Sequence, residues 1–497
     1  MIFLGLDIGS TGCKCVAFLD NGDELAAHYC EYPTTPGQAD LDPKMLRSSV
    51  LEVISGCVAK VENRTDIVSI TVSSFGESFV SLGENGEPTS NIIMYYADRA
   101  QSELEQMIDA VGAERIMSIT RAMPDTMYSA PKMTWTIKNQ KTPVKKFFLI
   151  ADYICYVLSG EHVTDYSLAA RTMLFDPIKL DWSSELLDAA EISKDQLPNP
   201  VPTGTIIGNV ISEIAEELGL PANTKVVIGA HDQVVCALGA GVLKAGDSVD
   251  GTGTVECITP LFKDIPSDLS FVKNNYVTIP YLNPGNYVTY AFNFSGGSLV
   301  KWYRDTLATH LKTQAAAEGI SSYELLNKQC PETPTDLFVI PHFQGAGGTP
   351  DMVKSAKGLV YGLTMDTSLE NLYRAVLEGL TFEMAYNLEV LSEFGISTNR
   401  MFATGGGARS SIWLQIKADI LNKEIVPIQT EEAGALGGAI LAASSIGMFN
   451  RVDQAAKHFV KYKDAVVPNN KVRDHYINKY GEYKEFRKFA LSRITGV

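Results

Sequence analysis

Residues 2–14 read Ile2-Phe-Leu-Gly-Leu-Asp7-Ile-Gly-Ser-Thr-Gly-Cys-Lys14, and this stretch decides the fold. One apolar run ends at Asp7, a glycine-bearing segment follows, and Cys13-Lys-Cys-Val-Ala-Phe-Leu19 resumes the run. Short apolar runs on either side of a turn predict strand, turn, strand over 2–19, with Asn21-Gly22 as the next hairpin turn. Glycines let successive N–H groups face one concavity. Ser10 and Thr11 add hydroxyl donors and Lys14 adds a positive charge, a set that suits phosphate oxygens. Asp7 suits Mg²⁺, directly or through water. An ordinary hairpin with a solvated acid reads the same way. The loop is not a Walker A loop, because the Gly-Lys-Ser/Thr ending is missing.

The pattern recurs at Ser248–Thr259, where Asp250-Gly-Thr-Gly-Thr254 lies between two apolar runs. Two related halves are therefore expected, 1–245 and 246–497, joined near Lys244-Ala-Gly-Asp247. Apolar spacing predicts strands at Ile67–Ser73 and Val226–Gly229, and helices at Pro131–Lys138 and Phe148–Leu158. Strand Arg400–Thr404 leads through Gly405-Gly-Gly407 into a helix at Ser410–Leu421, and a small-residue helix follows at Glu432–Ala443. The tail, Lys461–Arg493, reads as charged, helical and solvated. The class is α/β, with mixed sheets in two domains facing a cleft, where ligands usually bind.

The chain has 497 residues, 45% of them hydrophobic, which is ample for two cores. A net charge of −16 repels nucleic acid and anionic lipid, so neither is expected as a partner. The apolar N-terminal run breaks at Asp7 without a basic start, unlike a signal peptide, and no stretch approaches the roughly 20 apolar residues of a membrane span. A cytoplasmic protein is expected. The 8 cysteines form no CxxC pair, so buried free thiols are expected rather than a zinc site or a disulfide framework.

Asp232 lies just past a short buried strand, between His231 and Gln233. It is a candidate general base for a hydroxyl proton, or equally a helix N-cap. His231 reads as structural. Gly251-Thr-Gly-Thr would cradle phosphates from the second half, and Gly405-Gly-Gly-Ala-Arg-Ser would let a nucleotide lie against the backbone.

Taken together, these residues resemble the FGGY family of carbohydrate kinases over essentially the whole chain. The stretches that carry the resemblance are Leu4-Gly-Leu-Asp-Ile-Gly-Ser-Thr, Met127-Tyr-Ser-Ala-Pro-Lys-Met-Thr-Trp, Asp152-Tyr, and Val163-Thr-Asp-Tyr-Ser-Leu-Ala-Ala-Arg-Thr-Met-Leu-Phe-Asp. Further along come Gly229-Ala-His-Asp-Gln, Gly251-Thr-Gly-Thr, Gly358–Glu383, Thr404-Gly-Gly-Gly-Ala-Arg-Ser and Glu432-Ala-Gly-Ala-Leu-Gly-Gly-Ala. The resemblance implies the actin, hexokinase and heat-shock ATPase fold: two actin-like (ribonuclease H-like) domains flanking a catalytic cleft. It implies ATP and Mg²⁺, with Asp232 as base and with Asp7 and Asp232 around the metal. Ser10, Thr11 and Lys14 would face the phosphates, with Thr252 and Gly253 opposite, and Gly297 and Lys301 nearby. Gly406, Gly407 and Arg409 would line the adenosine site. Glu77, Asp98, Asp232 and Gln233 would contact the acceptor, a sugar or polyol, and a homodimer is suggested.

The acceptor side departs from familiar members. Ser74-Phe-Gly-Glu-Ser78 stands where glycerol kinases carry an Arg-Glu pair and xylulokinases Met-His-Gly-Gln, and Gln233 matches the glycerol-kinase pattern. The expected reaction is in-line transfer of the γ-phosphoryl of ATP to a hydroxyl of a ketose such as xylulose, or of a related polyol. The competing reading is a binding protein that has lost catalysis on the same scaffold. A heat-shock-like chaperone would need a peptide-binding domain after the ATPase, and the chain ends without one.

Overall fold

The structure, a computed structural model, describes residues 1–33 and 38–495. Its frame is two mixed sheets. The first comprises β1 (Ile2–Ile8), β2 (Gly12–Leu19), β3 (Glu24–Glu31), β4 (Ile67–Ser74), β5 (Ile206–Asn209) and β6 (Lys225–His231), in the order β5-β6-β4-β1-β2-β3. The second comprises β7 (Asp247–Thr252), β8 (Glu256–Phe262), β9 (Ile279–Pro280), β10 (Tyr287–Val288), β11 (Ala291–Asn293), β12 (Arg400–Thr404) and β13 (Ile425–Pro427). Its order is β9-β10-β8-β7-β12-β13, with β11 also on β8.

The two sheets share one plan. In the first, β1 runs antiparallel to β2 and parallel to β4, and β4 runs parallel to β6. In the second, β7 runs antiparallel to β8 and parallel to β12, and β12 runs parallel to β13. The central strands β1, β4 and β6 are rich in Ile, Val and Leu and buried nearly throughout, as parallel strands covered on both faces must be.

Six helices matter for the site: α1 (Asp232–Gly239), α2 (Gly297–Thr306), α3 (Leu369–Glu393), α4 (Ser411–Leu421), α5 (Ala433–Ser445) and α6 (Arg473–Thr495). Each main sheet sends the outermost of its parallel strands into a small-residue helix, β6 into α1 and β13 into α5, and these two helices pack on one another. A Cβ at Gly239 would lie 1.8 Å from the Ala433 carbonyl oxygen, and one at Gly437 2.0 Å from that of Val235. No side chain fits there, so glycine is what permits the contact. Helix α5 also lies on the first sheet. Thr71 Oγ1 donates to the Gly438 carbonyl at 2.9 Å, and Leu436, Ala439 and Ile440 share one core with Leu4, Leu6 and Val72. A separate core forms around α3, α4 and α6.

Three expectations need correction. The segment 148–158 is not one helix. Lys146–Leu149 pairs as a strand with Phe79–Leu82, burying Phe147 and Phe148, and the helix starts at Ile150. The second turn is shorter than its glycines suggested, because Asp250, Gly251 and Thr252 belong to β7. The tail is neither helical from Lys461 nor solvated. Its long helix begins at Arg473 and buries Tyr476, Lys479, Tyr483 and Arg487. Glu378 of α3 accepts from Lys479 Nζ at 2.6 Å and Tyr476 Oη at 2.9 Å, while Glu383 accepts from Tyr483 Oη at 2.6 Å. Among the described residues no helix is long and apolar enough to cross a membrane.

Candidate active site

Asp7 stands near the end of β1, opposite Lys14 on β2, with Ser10 and Thr11 in the turn between. Burial first, then the Glu432 charge, push the Asp7 carboxyl up to about 6 against the pull of Lys14. Lys14 Nζ donates to Glu432 Oε1 at 2.6 Å, tying this turn to the residue before α5. The approach is close: a Cβ at Gly434 would lie 3.0 Å from Asp7 Oδ2.

Asp232 is the first residue of α1 and the N-cap is His231, with no side-chain cap hydrogen bond, so the reading of Asp232 as a helix N-cap does not hold. Its Oδ1 accepts from the Gln233 N–H at 2.6 Å, and its side chain retains 31% exposure. Burial, then the Asp7 charge, push it up to about 8, and Glu77 adds to the rise. Neither Asp7 nor Asp232 pairs with a lysine or arginine among the described residues. An acid raised by the charge of a neighbouring acid suits one divalent cation between them, whose remaining ligands are phosphate oxygens and water. No cluster of three or more His, Cys, Asp or Glu side chains with metal-binding geometry occurs among the described residues.

His231 is neutral. Burial, and then Arg171, hold its pKa well below the ordinary value, and its Nδ1 pairs with Tyr290 Oη at 2.9 Å. The same Nδ1 lies 3.3 Å from Asp232 Oδ1.

Glu77 is buried beside this group. Its backbone lies in the left-handed region, at φ 65°, and Ser129 Oγ donates to its carbonyl at 2.7 Å. Arg171 Nε donates to its Oε1 at 2.5 Å, and Arg171 Nη2 pairs with the same oxygen. The guanidinium lies over the rings of Tyr128 and Tyr290, 5.1 and 5.7 Å from their centroids. Gly76 is required here, because a Cβ would come within 2.9 Å of His231 and 3.0 Å of Arg171. Tyr95 closes the group: burial pushes its phenol up to about 12, beside Glu77 and Asp232, with a hydrogen bond to the Ser10 side chain. Asp98 makes no contact with this group that would place it there. It is exposed and has no hydrogen bond or ion pair among the described residues.

Of the nucleotide-side candidates, the glycines gather around Thr252. Gly297 N–H donates to the Gly253 carbonyl at 2.8 Å, placing the start of α2 on the second turn. A Cβ at Gly407 would lie 2.6 Å from that of Thr252, and one at Gly405 2.7 Å from its carbonyl oxygen. Gly406 is exposed beside them, Arg409 pairs with Glu431, and Lys301 is exposed without a polar partner among the described residues.

Beneath the turn lies Lys417 of α4, which sequence reading missed. Its Nζ is 2.5 Å from Asp250 Oδ2, 2.6 Å from Thr252 Oγ1 and 2.8 Å from Glu256 Oε1. Burial, then Asp250, push the Glu256 carboxyl up to about 7 despite the lysine. Arg171, Tyr290 and Glu432 were also missed as site residues. Each has its partner more than fifty residues away, and no local pattern marks such a pair.

A duplicated hairpin-and-parallel-strand frame, with acids on one flank of the cleft and a glycine-lined turn on the other, defines an actin-like ATPase fold. Family models agree. That of the FGGY carbohydrate kinases, N-terminal domain, matches residues 2–239, and that of the C-terminal domain matches 251–446. The chain belongs to this family, whose members are phosphotransferases with an alcohol acceptor and use ATP. The xylulose kinase of Lactococcus lactis is 27% identical across 98% of this chain and 96% of its own. The gluconokinase of Bacillus subtilis is 29% identical across 90% and 88%. The ligand-bound crystal structure of a xylulose kinase from Lactobacillus acidophilus is 26% identical and superposes with a TM-score of 0.87, covering 99% of this chain and 98% of its own.

Proposed function

We propose that this kinase transfers the γ-phosphoryl group of ATP to a hydroxyl of a ketose such as xylulose, or of a related polyol, with Asp232 as general base. One observation carries the reading: Asp232 sits at the start of α1, half-buried, unpaired by any lysine or arginine among the described residues, beside Asp7 and the Glu77 group. A carboxyl raised to about 8 is a stronger base than an ordinary carboxylate, and it takes a hydroxyl proton when it is in its ionised form. As the acceptor oxygen bonds to the γ-phosphorus, its proton passes to an Asp232 oxygen and the bond to the leaving ADP oxygen breaks. Asp7 and Asp232 are the residues that would hold Mg²⁺, which when bound supplies charge to offset the phosphate oxygens. Thr252, with Gly253, Gly297 and Gly405–Gly407 packed around it, would face the nucleotide. All 8 cysteines are free thiols, which suits a reducing cytoplasm. A homodimer is the assembly we expect, and light scattering tests it.

The test is ADP release from MgATP across a panel of ketoses, aldoses and polyols. Asp232→Asn should retain ATP binding and lose turnover by ~10²-fold or more. Wild-type turnover in that variant would remove Asp232 from the chemistry. ATP binding without turnover of any panel member would favour a non-catalytic binding protein.

A further inference from the structure

Resting on that kinase reading, one arrangement narrows the acceptor. Both guanidinium contacts of Arg171 fall on one oxygen of Glu77, Oε1. Among the described residues Oε2 accepts no hydrogen bond, and Arg171 Nη1 is enclosed without a partner. The pair therefore offers one acceptor and one donor, a few bonds apart, on side chains that are each about nine-tenths buried. An enclosed donor left unmet is costly, by about 1–3 kcal/mol, so a partner for Nη1 is expected in the working enzyme. Tyr290, whose ring caps this guanidinium, comes from between β10 and β11 across the cleft. Opening the cleft would uncover Nη1, and closing it would seal a bound acceptor against it.

We propose that Arg171 is a specificity-determining residue: with Glu77 it recognises two adjacent neutral oxygens of the acceptor, one donating to Oε2 and one accepting from Nη1. Neighbouring hydroxyls, or a hydroxyl beside a ketone, meet that demand. A carboxylate does not, because it has no proton for Oε2 and would add its charge to Glu77, Asp232 and Asp7. The two buried cations nearest in the fold among the described residues are already engaged. Arg171 is engaged with Glu77, and Lys132 Nζ donates to the carbonyls of Met94 at 3.0 Å and Tyr95 at 2.7 Å. An aldonate also carries neighbouring hydroxyls, so it is its charge that counts against it here: the site favours neutral ketoses and polyols over aldonates, although chains of comparable similarity include a gluconokinase.

The experiment measures equilibrium binding and turnover of xylulose, glycerol and gluconate by the full chain, alongside Arg171→Lys and the neutral double variant Glu77→Gln/Arg171→Gln. We expect the wild type to bind at least one neutral probe and to turn it over at least tenfold better than gluconate in kcat/KM. Arg171→Lys keeps the charge and loses the fork, so it should weaken that binding at least tenfold and leave KM for ATP unchanged. The double variant leaves no buried charge unpaired, so it should fold and show the same loss. Gluconate bound as well as the best neutral probe, or variants with wild-type acceptor affinity, would overturn the proposal. Binding that follows this pattern without turnover would support Arg171 and strike only the kinase reading.

Discussion

Lys417 gives the sharpest test of how the nucleotide turn is held. Lys417→Met keeps the length of the side chain and removes the only cation that, among the described residues, touches Asp250 and Glu256, both of which are buried. Leaving buried charges unpaired costs about 3–5 kcal/mol. For a cooperative unit of roughly 250 residues, each kcal/mol moves the melting midpoint by about 2–4 °C, so the expected drop is about 6–20 °C. The loss should depend on pH with a definite sign. Burial already raises Glu256 to about 7, and without Lys417 it rises further, so the folded variant holds a proton that the unfolded chain releases at neutral pH. The penalty is thus full at about pH 8 and shrinks as pH falls towards about 5.5, where Glu256 takes up its proton. The assay is thermal denaturation of both proteins across this range, with KM for ATP measured where both are folded. Thr252 loses its 2.6 Å partner, so that KM should rise. A drop under 2 °C, or a penalty that grows on acidification, would refute the account of this cluster.

Other consequences are as direct. Asp7 and Asp232 are both held above the ordinary carboxyl value, so without metal the folded chain binds extra protons between about pH 4 and pH 8 and loses stability as pH rises through that window. Mg²⁺ needs both ionised, so the midpoint shift it induces should be larger at about pH 8.5 than at about pH 6; an equal or reversed shift would remove the metal from this pair. Gly437→Ala drives a Cβ into the Val235 carbonyl and should cost at least about 1–3 kcal/mol in denaturation, whereas Gly481→Ala, with open space around it, should stabilise α6 by up to about 1 kcal/mol. Lys14→Met should raise KM for ATP about tenfold, the scale of one charge-assisted hydrogen bond. An unchanged KM would assign Lys14 to Glu432 alone.

The frame was legible where local pattern carries it. Strand, turn and strand at 2–19 appear as β1 and β2, the repeat near residue 250 as β7 and β8, and Gly405–Gly407 leads into α4 behind its Ser410 cap. What misled was chemistry with two uses. Phe147 and Phe148 continue an apolar run that suits helix or strand, and pairing with Phe79–Leu82 decided it. In the tail, Tyr476, Lys479, Tyr483 and Arg487 recur at helical spacing, but a lysine and an arginine in that stripe read as solvent-facing until Glu378 and Glu383 appear opposite. Asp7, Glu77 and Asp232 were found because each stands in a motif. Arg171 and Lys417 were not, because what they do is set by partners 94 and 167 residues away.

The seating of α5 on the first sheet bears on how the chain is made. The strands of that sheet are complete once β6 and α1 emerge from the ribosome, yet the groove over Gly5, Thr71 and Gly239 stays open until residues 433–445 arrive. At about 5–20 residues per second, the roughly 190 intervening residues take about 10–40 s. For that interval the nascent first half carries an uncovered apolar trough, a binding surface for a chaperone or for another nascent copy. A gene cut near residue 245 would make the exposure permanent, and supplying the second half in trans should restore solubility before it restores activity.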